Sequence, residues 1–328
     1  MESIATNGRH KEAYNLLSNS FELSPTTRLL LYNIMIRIGD LNRYLSNTSI
    51  SETYYLNARR LDVMRGHAYN QLAINTPISQ HLKCIYYYCR AAKSCVEPII
   101  IAETNLKVAV NRFDSGILKS IIKMGSNSSQ QLIESDDQLV VTYPQKGIEW
   151  FYLSVISVYS ENFDTIFKPL IEFLITNCEL TSNRHLDNDI NNDMNFALMA
   201  FDVALDWIQL KAIQKTFFDV YATQLKNLKT GLKTCAEMIR EYEDETENES
   251  QTKPLFHDYV LRGFSPLSSI HDKLDFDSSE TLVIQSYRLM NRVIEKMEKL
   301  FGKSVKPKPK RMRNVALGSI LENESPSK

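Results

Sequence analysis

Glycine and proline are scarce, ten of each in 328 residues, which leaves too few turn-formers for a many-stranded sheet. Neither sign of charge is in excess: 38 Lys and Arg face 39 Asp and Glu, a net charge of −1. Such a chain has no global attraction for nucleic acid or acidic lipid, so any anion site must be local. No apolar run reaches the length of a bilayer; "FYLSVISVYS" (Phe151–Ser160) is too short and is followed at once by Glu161 and Asp164. The start, "MESIATNGRH", holds no apolar signal core, and the five cysteines (84, 89, 95, 178 and 235) are odd in number and scattered. Together these predict a soluble protein of a reducing cytosolic or nuclear setting, where Asn47-Thr48-Ser49 means nothing as a glycosylation acceptor.

Catalytic patterns are missing too. There is no phosphate-cradling Walker loop, no G-x-G-x-x-G and no His-Glu-x-x-His. Cys89 and Cys95 have no histidine at an obvious spacing, and His81-x-x-Cys84 has no second ligand pair. The cysteines are expected to be packed thiols. Asp136 with Asp137, and Asp187 with Asp189, read as solvated turns in polar loops. The expectation is a protein that is not an enzyme and carries no cofactor or metal.

What the chain does have is helical periodicity. Residues 8–22, 26–45, 51–61, 67–74, 81–95 and 99–113 read as amphipathic helices, with Ser24 and Pro25 as cap and first position of the second. Short linkers between them imply antiparallel neighbours. Residues 125–147 are polar, with a short extended piece expected at Leu139–Thr142. Helical patterns return at 148–178, 193–212, 214–242 and 279–301. "EYEDETENESQ" (Glu241–Gln251) reads as an acidic loop and residues 303–328, with "KPKPKRMR", as a disordered basic tail. The length allows one large or two medium domains, and the division expected is 1–113, 114–302 and 303–328. In the first third, Ile38-Gly39, Tyr55 and Ala58 follow tetratricopeptide spacing, and "YNQLA" with "IYYYCRAA" makes a second unit. Ser51 stands where the repeat favours alanine and Val63 where it favours proline.

Arg43-Tyr44, in "GDLNRYLSN" at the end of an apolar helix, admits two readings. One is a surface ion-pair partner beside a core aromatic. The other is a phosphate clamp, since the two side chains lie about 100° apart around the helix and both can reach one concave side. A buried phosphate asks for a guanidinium fork, a hydroxyl and an amide, and Asn70 in "HAYNQLA" could supply the last.

Several stretches taken together resemble one family. They are "GDLNRY", "SETYYLNARRL", "AYNQLAI", "HLKCIYYYCRAA" and "TNLKVAV" across Gly39–Val110, then "VALDWIQLK" (Val203–Lys211) and "LRGFSPLSSIHDKLDF" (Leu261–Phe276). The chain resembles the adaptors of nonsense-mediated mRNA decay, of the Smg-five and Smg-seven types, whose relatives include the yeast telomerase-recruiting Ever-Shorter-Telomeres proteins. The resemblance spans roughly residues 8–300.

It implies an all-α protein: a 14-3-3-like tetratricopeptide array followed by a bundle of helical hairpins. In that family the groove binds phosphoserine or phosphothreonine on the up-frameshift RNA helicase. Its Arg-Tyr pair matches Arg43-Tyr44, and the groove asparagine of 14-3-3 proteins matches Asn70. A second basic residue belongs to helices that precede "EAYNLL" in family members; here Lys11, with Arg9 nearby, is the candidate to replace it. The partners implied are the phosphorylated helicase, a second family member as heterodimer, and phosphatase or deadenylation factors. No nuclease domain follows, so no RNA cleavage is expected. Three readings follow: a phosphopeptide adaptor, cytoplasmic and shuttling to the nucleus; a telomerase-associated binder of RNA or telomeric DNA that uses the tail; and a scaffold with an inactive pocket.

Overall fold

The computed structural model describes residues 23–113, 115–122, 142–183, 188–211, 215–240, 254–274 and 285–301. These residues are all-α, as expected, with no strands among them and only isolated backbone bridges between loops. The helix expected at 8–22, residues 139–141 of the extended piece expected at Leu139–Thr142, the acidic loop and the basic tail lie outside the described residues.

Helix α1 (Pro25–Tyr44) begins where the sequence places it, with the Ser24 hydroxyl accepting from the Thr27 amide at 3.2 Å and proline in the first turn. It pairs with α2 (Thr48–Leu61), and the small residue at Gly39 is what lets them close up. A Cβ there would run into the Tyr55 ring, which is fully buried with Ala58 on the same face. The departure at Ser51 has a use. Its buried hydroxyl lies 2.9 Å from the Thr48 carbonyl and 3.0 Å from Asn75 Oδ1, tying α2 to the end of α3 (Gly66–Asn75). The buried Tyr32 hydroxyl of α1 accepts the Ala68 amide at 2.9 Å, joining the first hairpin to the second. That second hairpin is α3 with α4 (His81–Ala92), and α5 (Ile100–Arg112) and α6 (Gly116–Ile121) complete the first part. Helix α4 stops three residues short of the expected Cys95. Beyond Ala92 the chain turns extended to bond with two other loops, through Ser94 with Phe264 and Glu97 with Arg65.

The pattern over 148–178 predicts one helix, but the chain makes two: α7 (Gly147–Ser160) and α8 (Asp164–Asn183). Glu161 takes the left-handed conformation at φ 54°, and the Asn162 side chain donates to the Ser120 and Ile121 carbonyls at 3.0 and 3.2 Å. The break is forced by burial. Helix α7 is apolar around most of its circumference and lies between α4 and α9, so α8 must turn back to bury its own face. Phe163, just past the turn, packs on Trp207 at 5.0 Å. Helices α9 (Asn188–Leu210) and α10 (Lys215–Arg240) follow the expected patterns, although Asp189, expected in a loop, lies inside α9. Asp136, Asp137 and Asp187 are outside the described residues. Two short helices, α11 (Phe256–Leu261) and α12 (Ser268–His271), were not legible in the pattern; α13 (Gln285–Phe301) closes against α9 and α10. Cys84, Cys89, Cys178 and Cys235 are buried thiols and Cys95 is exposed. Burial pushes the Cys84 thiol up to about 11.

Candidate phosphate-binding site

Helix α1 ends because Ser46 turns left-handed, at φ 63°, directly after Leu45. That leaves Arg43 in the last turn, where the unpaired carbonyls of a helix end favour a cation. Arg43 Nε donates to the Tyr55 hydroxyl at 3.3 Å, and that hydroxyl donates to Asp40 Oδ1 at 2.9 Å. Asp40 also stands 3.9 Å from Arg43 Nη2. The guanidinium lies over the Tyr44 ring at 4.7 Å, while Tyr44 itself is 74% exposed. Partial burial works against the Arg43 charge, but the hydrogen bond and the pull of Tyr55, then of Tyr44, outweigh it and hold the guanidinium protonated. Burial, helped by Asp40 and opposed by Arg43, pushes the Tyr55 phenol up to about 12. The arrangement orients a charged fork by its Nε edge, with Asp40 the carboxylate near its Nη edge.

Arg43 and Tyr44 thus sit together. Arg43 has the ion-pair neighbour of the first reading, in Asp40, but Tyr44 is exposed and not the core aromatic that reading expected. Asn70 lies apart from them on α3, almost fully buried, its Oδ1 without a hydrogen-bond partner among the described residues. Nothing in the described residues joins it to Arg43. Lys11 lies outside them.

Two further charged arrangements carry no sequence motif of their own. Arg90 of α4, fully buried, donates to the Leu261, Val260 and Arg262 carbonyls at 3.0, 3.2 and 3.1 Å and to the Tyr69 hydroxyl at 2.9 Å. Around it, the Cys95 amide bonds the Gly263 carbonyl and the Ser265 amide the Lys93 carbonyl, both at 2.8 Å. Gly263 is required there: its φ is 76°, and a Cβ would strike Met64. Elsewhere Asp202 and Asp206 of α9, His257 and Asp258 of α11, and Arg292 and Lys296 of α13 form a buried ionic cluster. The spacing i, i+4 of Asp202 with Asp206 on an apolar helix, matched by Arg292 with Lys296, was the available signal. Among the described residues no group of His, Cys, Asp and Glu is arranged to hold a metal ion, and no helix is long and apolar enough to cross a membrane.

The model of the family described as the Est1 DNA/RNA binding domain matches residues 51–153 and 154–271. The nonsense-mediated mRNA decay factor SMG7 of Danio rerio is 29% identical over 199 residues, covering 57% of this chain and 16% of that protein. The chain therefore spans about a sixth of the length of this relative. A solved structure of the C. elegans SMG5-SMG7 complex aligns with 85% of this chain and 70% of its own chain, at 14% identity and a TM-score of 0.35. A likeness at that level adds nothing to the family match.

Proposed function

Since the chain belongs to the Est1 DNA/RNA binding domain family, the one that its sequence resembles, we propose that it is a non-enzymatic adaptor of mRNA decay that reads phosphoserine or phosphothreonine. The ligand proposed is a phosphorylated segment of the up-frameshift RNA helicase. Arg43 supplies the fork and Tyr44 the flanking phenol, with Lys11 and Asn70 as candidate further donors. The observation that carries this reading is the oriented guanidinium at the end of α1, three-quarters buried, held at Nε by the Tyr55 hydroxyl and with only Asp40, at 3.9 Å, near its Nη edge. A second family member is the partner for a heterodimer. The exposed apolar residues Leu30, Ile34 and Leu41 of α1, with Leu45 at its cap, offer a face for such pairing. Phosphatase or deadenylation factors would be recruited through the assembled complex, in the cytoplasm with passage through the nucleus.

Fluorescence anisotropy with phosphorylated and unphosphorylated Ser-Gln peptides tests the site. Wild type is expected to bind the phosphorylated form more tightly, with an affinity that falls as salt rises. Arg43→Glu removes a bidentate charge-assisted pair worth about 3 kcal/mol and adds repulsion, so at least about a hundredfold of that preference should vanish. Equal binding of both peptides by wild type would end the phosphate reading. RNA binding that Arg43→Glu leaves intact and deletion of 303–328 abolishes would favour the nucleic-acid reading instead.

A further inference from the structure

The guanidinium of Arg43 lies over the Tyr44 ring at 4.7 Å. Against the cost of its partial burial, Tyr55 and then Tyr44 hold it protonated. Tyr44 is the last residue of α1, and Leu45, Ser46 and Asn47 beyond it are all exposed, with Ser46 already turned out of the helix. Among the described residues Tyr44 is the one exposed tyrosine; the rest are buried or half-buried. Helix ends fray, so this phenol can be presented to an enzyme as extended chain, which a phenol inside the bundle such as Tyr55 cannot.

A phosphate on Tyr44 would bring a charge of about −1.5 to −2 and three acceptor oxygens to the edge of the ring on which Arg43 is stacked. The groups already at that guanidinium are weak competitors. The Tyr55 hydroxyl takes only Nε, at 3.3 Å, and Asp40 stands 3.9 Å from Nη2, beyond hydrogen-bond distance. Asp40 and the carbonyl end of α1 both repel a phosphate. That repulsion acts across solvent on the far end of an exposed side chain and is screened, whereas a fork-to-phosphate pair is direct.

We propose that Tyr44 is a tyrosine-phosphorylation site and that its phosphate turns onto Arg43, closing the clamp against a phosphopeptide. In the transfer, the Tyr44 phenol oxygen bonds the γ-phosphorus of ATP and the bond from that phosphorus to its bridging oxygen breaks. ADP leaves, and the phenol proton passes to the base of the kinase. The exclusion of peptide rests on the phosphopeptide reading of Arg43; the internal pair does not.

Three measurements on the full chain separate these claims. A broad-specificity tyrosine kinase with ATP should phosphorylate Tyr44 of the folded chain, as mapped by mass spectrometry. A folded chain left unmodified at Tyr44 overturns the site. Next, the chain is made with phosphotyrosine at position 44 and the phosphate is titrated by phosphorus NMR. Its second ionisation, ordinarily at about 6, should lie lower in the native chain and return to the value of the urea-unfolded chain in Arg43→Gln. Asp40 opposes the lowering equally in both. Arg43→Lys, still charged, should keep part of the lowering, which sets the pair apart from a disturbance of the helix end. Identical titrations of wild type and Arg43→Gln, or an Arg43→Lys chain that titrates like Arg43→Gln, overturn the internal pair. In anisotropy, a singly phosphorylated Ser-Gln peptide should bind the phosphorylated chain at least about tenfold more weakly than the unmodified one. Undiminished phosphate-dependent binding overturns the closure. If the unmodified chain shows no phosphate dependence while the NMR lowering is present, the peptide reading of Arg43 falls, and the closure with it, while the pair of Tyr44 with Arg43 stands.

Discussion

Arg90→Ala is expected to lower the free energy of unfolding by about 3–5 kcal/mol, seen as a shift of the urea midpoint to lower concentration. The carbonyls of Val260 and Leu261 end α11, a helix of only six residues, and that of Arg262 follows at its cap; no further helical turn donates to them, although the Phe264 amide reaches Leu261 at 2.9 Å. Arg90 satisfies all three from a distance of 171 residues to Leu261, and its guanidinium lies between the Tyr69 and Phe264 rings at 4.8 and 5.1 Å. Alanine takes this donor from the Val260 and Arg262 carbonyls and from the Tyr69 hydroxyl, leaves Leu261 with the Phe264 amide alone, and opens a cavity besides. Arg90→Lys should fare little better, because an ammonium can neither span three carbonyls nor stack flat between two rings. A cost below about 1 kcal/mol for the alanine variant would show that the clasp is incidental.

The second large effect is expected at Arg292. It bonds Asp258 through two nitrogens, at 2.5 and 3.0 Å, and Asp202 at 3.1 Å. Three buried carboxylates here face two permanent cations. Asp206 bears the excess: burial raises its carboxyl, and Asp202 adds to this against the pull of Lys296. Arg292→Met would strand Asp258 and Asp202 with Lys296 and histidines alone, at a cost of about 3–5 kcal/mol by urea unfolding. A variant as stable as wild type would remove Arg292 from the account.

The same cluster sets a pH dependence. Burial pushes His271 down to about 4, with Arg90, His257 and Arg292 acting in the same direction and Asp258 against them. In the unfolded chain a histidine titrates near 6.5. The unfolded state therefore binds the proton more readily, and the stability contributed by neutral His271 is complete above about 6.5 and lost as the pH falls towards 4. The loss is about 3 kcal/mol, and His271→Gln should flatten it. Asp258 acts lower still: burial opposes its ionisation but Arg292 and His257 pull the carboxyl down to about 2. Its contribution is present above the ordinary carboxylate range near 3.9 and fails only between there and 2. Urea melts at pH 7, 6 and 5 on wild type and His271→Gln decide the first part, since parallel losses would acquit His271.

The first two hairpins were legible because their signals are local. A cap at Ser24, a small residue at Gly39 and an aromatic at Tyr55 act within a few turns, and the structure uses each where its spacing places it. The break at Glu161 was not, because apolar residues at helical spacing continue on both sides of the polar Ser160–Asn162. The position of α4 and α9 around α7 decides where the chain must fold back. Arg43 and Tyr44 could be singled out as a pair, but not that Asp40 and Tyr55 would hold one edge of the guanidinium. Arg59 and Arg90 looked alike in sequence, each a basic residue on an amphipathic helix. What separates them is whether distant chain arrives to meet them, and residues 260–262 meet only Arg90.

That long tie has a bearing on how the molecule comes into being. While the chain is made, Arg90 leaves the ribosome well before its acceptors exist. At ordinary rates of synthesis the interval is roughly 10 to 30 s, far longer than a helical hairpin needs to form. Through that interval the first two hairpins carry a solvated guanidinium where their core should close, and the loop that follows α4 keeps its bonds to residues 64–66 but lacks those of Lys93 and Cys95 to residues 265 and 263. The early part can be native in outline yet loose at one end, and it becomes tight only when Leu261 and Gly263 emerge. Nascent chains halted before that point should be protease-sensitive at residues 93–95, and those released after it resistant.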